Sequence, residues 1–120
     1  MILIIGGAYQ GKLDAAKASY GLTDGDIYTC CHGEIDFTSK CIYKIEEFTF
    51  HHPDPIGYFQ SHREQWENSI LICQDIFCGV VPVGAGNRAW RQKTGRLCQY
   101  LSQEASQVSR IFCGLEQKLK

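Results

Sequence analysis

The 120-residue chain has almost no net charge: twelve Lys and Arg against thirteen Asp and Glu leave −1 at neutral pH. No global field therefore recruits nucleic acid or an anionic membrane, and basic and aromatic residues do not interleave as they do in nucleic-acid binders. No apolar run approaches the roughly 18 residues that a membrane-crossing helix needs, so no membrane span is expected. The first residues carry neither the basic start nor the small-residue cleavage site of a secretory signal, and the expected location is cytoplasmic. Seven cysteines, an odd number, include no C-x-x-C pair. In a reducing compartment such thiols act as small buried hydrophobes. Cys30-Cys31-His32 offers soft ligand atoms, but adjacent cysteines seldom chelate one tetrahedral ion and no second pair has matching spacing. No repeat, low-complexity tract or linker divides the chain, and residues 1–120 are expected to form a single domain.

What is present begins at the first residue. The apolar run Met1-Ile2-Leu3-Ile4-Ile5 breaks into Gly6-Gly7-Ala8-Tyr9-Gln10-Gly11-Lys12. A strand buried on both faces, then glycines that turn backbone N–H groups toward an anion, then a lysine, make a phosphate-binding loop of the G-x-x-x-x-G-K-[ST] kind. Its last position departs from the pattern. The hydroxyl that would hold Mg²⁺ is replaced by Leu13, so the cradle is there without its metal hook. A helix over 12–20 follows, with Leu13, Ala16 and Tyr20 on one side and Gly21 as its stop. Its N-terminus would add the positive end of a dipole to the site.

Further strands are expected at 26–30, 70–73 and 110–113, beside the first at 2–5. Residues 41–45 read either as a fifth strand or as the opening of a helix. Helical periods run over 55–67, with Ile56, Phe59 and Trp66 apolar, and over 88–107, with Trp90, Thr94, Leu97, Leu101 and Ala105 on one side. Trp90 is expected in the core, with Trp66 in the same layer. Alternating strands and helices imply right-handed crossovers and an α/β fold: a small three-layer sandwich around a mostly parallel sheet, of P-loop NTPase type. Ligands in such sheets bind beyond the carboxyl ends of the strands, which groups 6–12, 31–34 and 74–79 on one edge.

The segment Cys73-Gln74-Asp75-Ile76-Phe77-Cys78-Gly79-Val80-Val81-Pro82, followed by Trp90-Arg91-Gln92-Lys93-Thr94-Gly95-Arg96-Leu97-Cys98-Gln99, resembles a known signature. It is similar to the C-terminal part of the adenosylcobinamide kinase / adenosylcobinamide-phosphate guanylyltransferase family, which typically reads N-E-V-G-x-G-I-V-P and then F-R-D-x-x-G-x-x-N-Q. The opening Ile4-Ile5-Gly6-Gly7-Ala8 with Gly11-Lys12, and the ending Ile111-Phe112-Cys113-Gly114-Leu115 with Leu119-Lys120, resemble the family's two ends. The similarity covers about half of the chain. It implies a P-loop α/β protein of cobalamin assembly that phosphorylates the aminopropanol hydroxyl of adenosylcobinamide and then transfers GMP through a guanylylated histidine. It also implies self-association into a homo-oligomer.

Each requirement of that chemistry maps onto this chain differently. GTP or ATP would lie on Gly6, Gly7, Ala8, Tyr9, Gln10, Gly11, Lys12 and Leu13, with Lys12 as the catalytic cation. Asp75 stands where the family usually has glutamate; it reads either as a carboxylate holding Mg²⁺ through water or as a loop acid capping a turn. His32 is the nearest candidate for the nucleophilic imidazole, and reads equally as an exposed loop histidine. Ile42-Tyr43-Lys44-Ile45-Glu46-Glu47 partly resembles the family's W-x-T-x-E-E stretch, and counting back from it lands on Glu34. The family's D-C-L-T-L-W-like acidic strand has no counterpart. His51, His52 and His62 read as surface residues. Arg88, Arg91 and Arg96, with Lys93, form either a phosphate clamp or a solvated helix face, and Arg91 and Gln99 match the signature best. The expected function is that of a short relative of this family binding GTP or ATP at a degenerate P-loop. Alternatives are a catalytically impaired nucleotide- or corrinoid-binding protein, and a small kinase for another alcohol.

Overall fold

The computed structural model describes residues 1–7, 10–31, 33–76 and 85–120. Ala8, Tyr9 and His32 lie outside them, as does 77–84 with Cys78. Strand β1 (Ile2–Gly6) leads to helix α1 (Lys12–Tyr20), a 3₁₀ turn (Asp24–Asp26), β2 (Ile27–Thr29) and β3 (Cys41–Tyr43). Helices α2 (Ile45–His51), α3 (Pro55–Ser61) and α4 (Arg63–Trp66) precede β4 (Ile70–Gln74), the long helix α5 (Ala85–Glu104), β5 (Gln107–Phe112) and β6 (Leu115–Lys118). The six strands form one sheet in the order β2-β3-β4-β1-β5-β6. All neighbours are parallel except β5 and β6.

The pleat divides the core in two. Ile4, Ile70, Ile72, Cys41 and Ile111 point to the side that Ala16 and Leu13 of α1 cover. Leu3, Leu71, Cys73, Ile42 and Val108 point to the other, where Phe48, Phe59, Trp66, Leu97 and Leu101 of α2 to α5 pack. The result is three layers with α1 on one face and α2 to α5 on the other. Leucine and isoleucine carry both faces of β1 and β4 because parallel strands covered on both sides have no solvent-facing register.

Helix boundaries follow local chemistry. α1 ends at Gly21, whose φ of 64° is the left-handed conformation that closes a helix, with its N–H on Lys17 O. α3 starts on Asp54, whose carboxylate accepts from Gly57 N at 3.1 Å, with Pro55 in the first turn.

Several sequence expectations shift. The helix expected over 55–67 breaks at His62 (φ −110°, ψ 18°) into α3 and α4. α5 begins and ends three residues earlier than 88–107, and β5 starts at Gln107 rather than 110. Residues 41–45 divide between both readings: Lys44, at φ 60°, ends the strand and caps α2. Cys113, expected in a strand, sits with Gly114 in the two-residue turn of the β5–β6 hairpin, both with positive φ. Trp66 is fully buried, but Trp90 is only half-buried, its Nε1 donating to Glu46 O at 2.8 Å. Among the described residues no helix is long and apolar enough to cross a membrane.

Candidate functional site

β1 and β4 are neighbours whose onward connections leave on opposite faces of the sheet. Chain from β1 passes through α1 to β2, and chain from β4 passes through α5 to β5 on the far side of β1. Such a switch point opens a crevice at the carboxyl ends of the strands. A cleft of about 640 Å³ lies there, lined by Gln10, Gly11, Lys12, Leu13, Asp14, Tyr43, Lys44 and Gln74.

Close approach dictates the loop's glycines. A Cβ on Gly6 would stand 2.6 Å from Ile111 O and 3.2 Å from two carbons of Lys12. Gly6 O accepts from Asp75 N at 2.6 Å, which joins the ends of β1 and β4. Gly11, at φ 85°, turns the chain into α1. Gln10 ties the loop to the hairpin, its Oε1 accepting from Cys113 N and its carbonyl from Gly114 N.

Lys12 is only 8 % exposed and its Nζ donates to Gly7 O at 2.7 Å, so the ammonium folds back over the loop. Burial pulls it below the usual lysine range, while Glu46, Cys73 and Asp75 push the other way. Glu46 is 5 % exposed, in the first turn of α2, and its Oε1 accepts from Gln74 N at 2.8 Å. A buried cation thus stands among acids at the end of the sheet, where electrostatic effects exceed those in water. Leu13 packs its side chain against the α1-face core besides lining the cleft.

The structure gathers Gln10, Gly11, Lys12 and Leu13 around the cleft, with Gly6 beneath them and Asp75 bonded to it through its backbone. Gly7 supplies the carbonyl that holds Lys12. Arg91 lies half-buried on α5, in the layer that also holds α2, and neither it nor Asp75 is among the residues that line this cleft. Lys93 on the same helix is committed elsewhere, donating to His52 O at 2.8 Å. His52 and His62 are half-buried rather than superficial: His52 stacks on Phe48 and His62 on Tyr58. Ile35 and Phe37, just after the segment 31–34, enter the core beneath them. Among the described residues no group of three potential ligands could hold a metal.

Tyr43, Lys44 and Glu46 are functional candidates that sequence reasoning named only as part of a resemblance. Nothing in the sequence marks Lys44; the structure shows it at φ 60°, a conformation that costs a non-glycine residue energy and that clusters at ligand sites. Nor does anything mark Glu46, because an acid in a helix's first turn is ordinary until its burial is known. Compared with models of known protein families and with curated proteins, the sequence matches none.

Proposed function

We propose that the protein binds a purine nucleoside triphosphate, GTP or ATP, on the loop from Gly6 to Lys12, as a short P-loop relative of the adenosylcobinamide kinase/guanylyltransferase family. The observation that carries the reading is the position of this loop. A glycine turn, a buried lysine and a helix N-terminus meet at the switch point of a parallel sheet, against a cleft of about 640 Å³. Backbone N–H groups in the first turn of a helix have no partner inside the helix, and phosphate oxygens satisfy them. Lys12 would exchange Gly7 O for a phosphate oxygen, and Glu46 and Asp75 favour its protonated form.

Mg²⁺ usually binds through one or two carboxylates together with the nucleotide's own phosphates. Asp75, at the end of β4, is the residue that would hold it, and Leu13 offers no oxygen. Asp14, in the first turn of α1, adds a negative charge to the cleft wall. These features favour binding over turnover, with a corrinoid or another alcohol as the acceptor if phosphoryl transfer occurs. Titration calorimetry with GTP and ATP, with and without Mg²⁺, tests the proposal. Binding weakened at least about tenfold in Lys12→Ala is expected, the loss of one charge-assisted phosphate contact. Absence of heat with both nucleotides would overturn it, and unchanged affinity in Lys12→Ala would move the site elsewhere.

A further inference from the structure

The outer edge of the sheet carries a second reading, independent of the nucleotide site. β6 is the last strand of the sheet and all four of its residues are exposed. Phe112, Leu115 and Leu119 are 58, 73 and 52 % exposed. An uncovered row of backbone N–H and C=O groups beside apolar side chains is a template for another strand.

Backbone geometry limits how a strand can add. Along an antiparallel pair, alternate residues turn their backbone groups toward the neighbour. Leu119 N donates to Val108 O at 2.8 Å, so Leu115, Gln117 and Leu119 face β5, and Glu116 and Lys118 offer theirs outward. Side chains alternate in the same rhythm. Glu116 pairs with Ile111 and Lys118 with Ser109, placing both charges on the α1 face, while Leu115 lies opposite Phe112 on the other.

The segment Leu115-Glu116-Gln117-Lys118-Leu119 is complementary to itself when reversed about Gln117. Two copies laid antiparallel around a two-fold axis at Gln117 put Glu116 of each against Lys118 of the other, and Leu115 against Leu119. Their outward backbone groups meet in that register. A shift that keeps the backbone pairing sets Glu116 against Glu116 or Lys118 against Lys118, and like charges directly opposite are unfavourable. Ser109 Oγ donates to Glu116 Oε1 at 2.7 Å, which fixes the carboxylate on this face and leaves it further acceptor sites. We infer that β6 is the contact of a two-fold symmetric homodimer, in which the sheets of two copies of this chain join edge to edge.

Charge reversal tests this directly. Glu116→Lys alone sets lysine against lysine across the axis, and Lys118→Glu alone sets glutamate against glutamate. Light scattering across about 10 µM to 1 mM, a range suited to a small interface, should show a wild-type dimer and variants whose dimer dissociates at least about tenfold more readily. Mixing the two variants restores both opposite-charge pairs and should restore the dimer. A monomeric wild type over that range, single variants that dimerise as well as wild type, or a mixture that stays monomeric would each overturn the inference. Amide exchange in the unmodified protein is the second readout. The Glu116 and Lys118 amides should slow as concentration rises, and exchange independent of concentration would equally overturn it.

Discussion

Gly6 has no room for a side chain, since any Cβ would meet Ile111 O inside van der Waals contact. Gly6→Ala must push β5 away from β1 or displace Lys12, and about 1–3 kcal/mol of stability is expected to go with it. Urea unfolding measures that loss, and nucleotide titration should show a weakened site even where the protein remains folded. Leu13 has two roles that one substitution separates. Leu13→Ser supplies the missing oxygen and is expected to strengthen the Mg²⁺ dependence of nucleotide affinity; unchanged dependence would contradict the missing-hook argument. The same change removes a half-buried leucine from the α1-face core, so about 1–2 kcal/mol of stability is expected to be lost in the same protein. Lys12 shows why such a site is legible in sequence while its electrostatics are not. Its place directly after the last of the loop's three glycines marks it, but its burial and its acidic neighbour Glu46 depend on chain 34 residues away, brought in by β3, β4 and α2.

Among the elements, the β5–β6 hairpin departs furthest from expectation and explains itself. Its turn residues Cys113 and Gly114 have φ of 50° and 76°, the geometry of a type I′ turn, for which Asn-Gly is the favoured pair. Cys113→Asn keeps the backbone N–H that reaches Gln10 and relieves an L-residue unsuited to positive φ. It is expected to stabilise the protein by about 0.5–1 kcal/mol, read as a higher urea midpoint. Read from sequence alone, the strand runs on through Cys113, because Cys-Gly does not announce a turn as Asn-Gly does. α2 was legible only as an alternative, since Ile45, Phe48 and Thr49 form a short buried stripe next to a strand. Its position against α5 rests on a buried cluster: Thr49 and Thr94 hydroxyls lie 2.6 Å apart, and Trp90 Nε1 reaches Glu46 O. That cluster fixes the helix that presents Glu46 to the loop.

Across the whole molecule, the thiols set a dependence on alkaline pH. Burial pushes Cys30 up to about 12 and Cys41 up to about 11, and Cys73 rises through its hydrogen bond with Cys98 and its burial. A thiol whose folded value exceeds the unfolded value of 9.0 keeps its proton in the native state after the unfolded chain has lost it. The stability it lends is complete below pH 9 and is lost as pH rises through about 11 to 12. Each such group costs about 1.4 kcal/mol per pH unit in that interval. Lys12, lowered by burial, acts in the opposite sense, but one amine opposes three thiols. Urea midpoints should therefore fall steeply above pH 9, and Cys41→Ala should flatten the fall.

The amino-acid sequence by itself determined the local devices: the β1-to-α1 glycine loop with its lysine and its missing hydroxyl, the Gly21 stop, and the alternation of strands and helices that makes a mostly parallel sheet. These are short-range consequences of φ preference, apolar period and backbone hydrogen bonding, and they need only a few neighbouring residues. Only the tertiary structure decided which strands are neighbours, and with that what surrounds the loop. Setting β4 beside β1 let Asp75 N donate to Gly6 O and Gln74 N donate to the Glu46 carboxylate. It also put β6 at the sheet's edge, where the self-complementary order Leu-Glu-Gln-Lys-Leu acquires meaning. Strand order comes from burying both faces of one sheet at once, a property of the whole chain that no local segment contains.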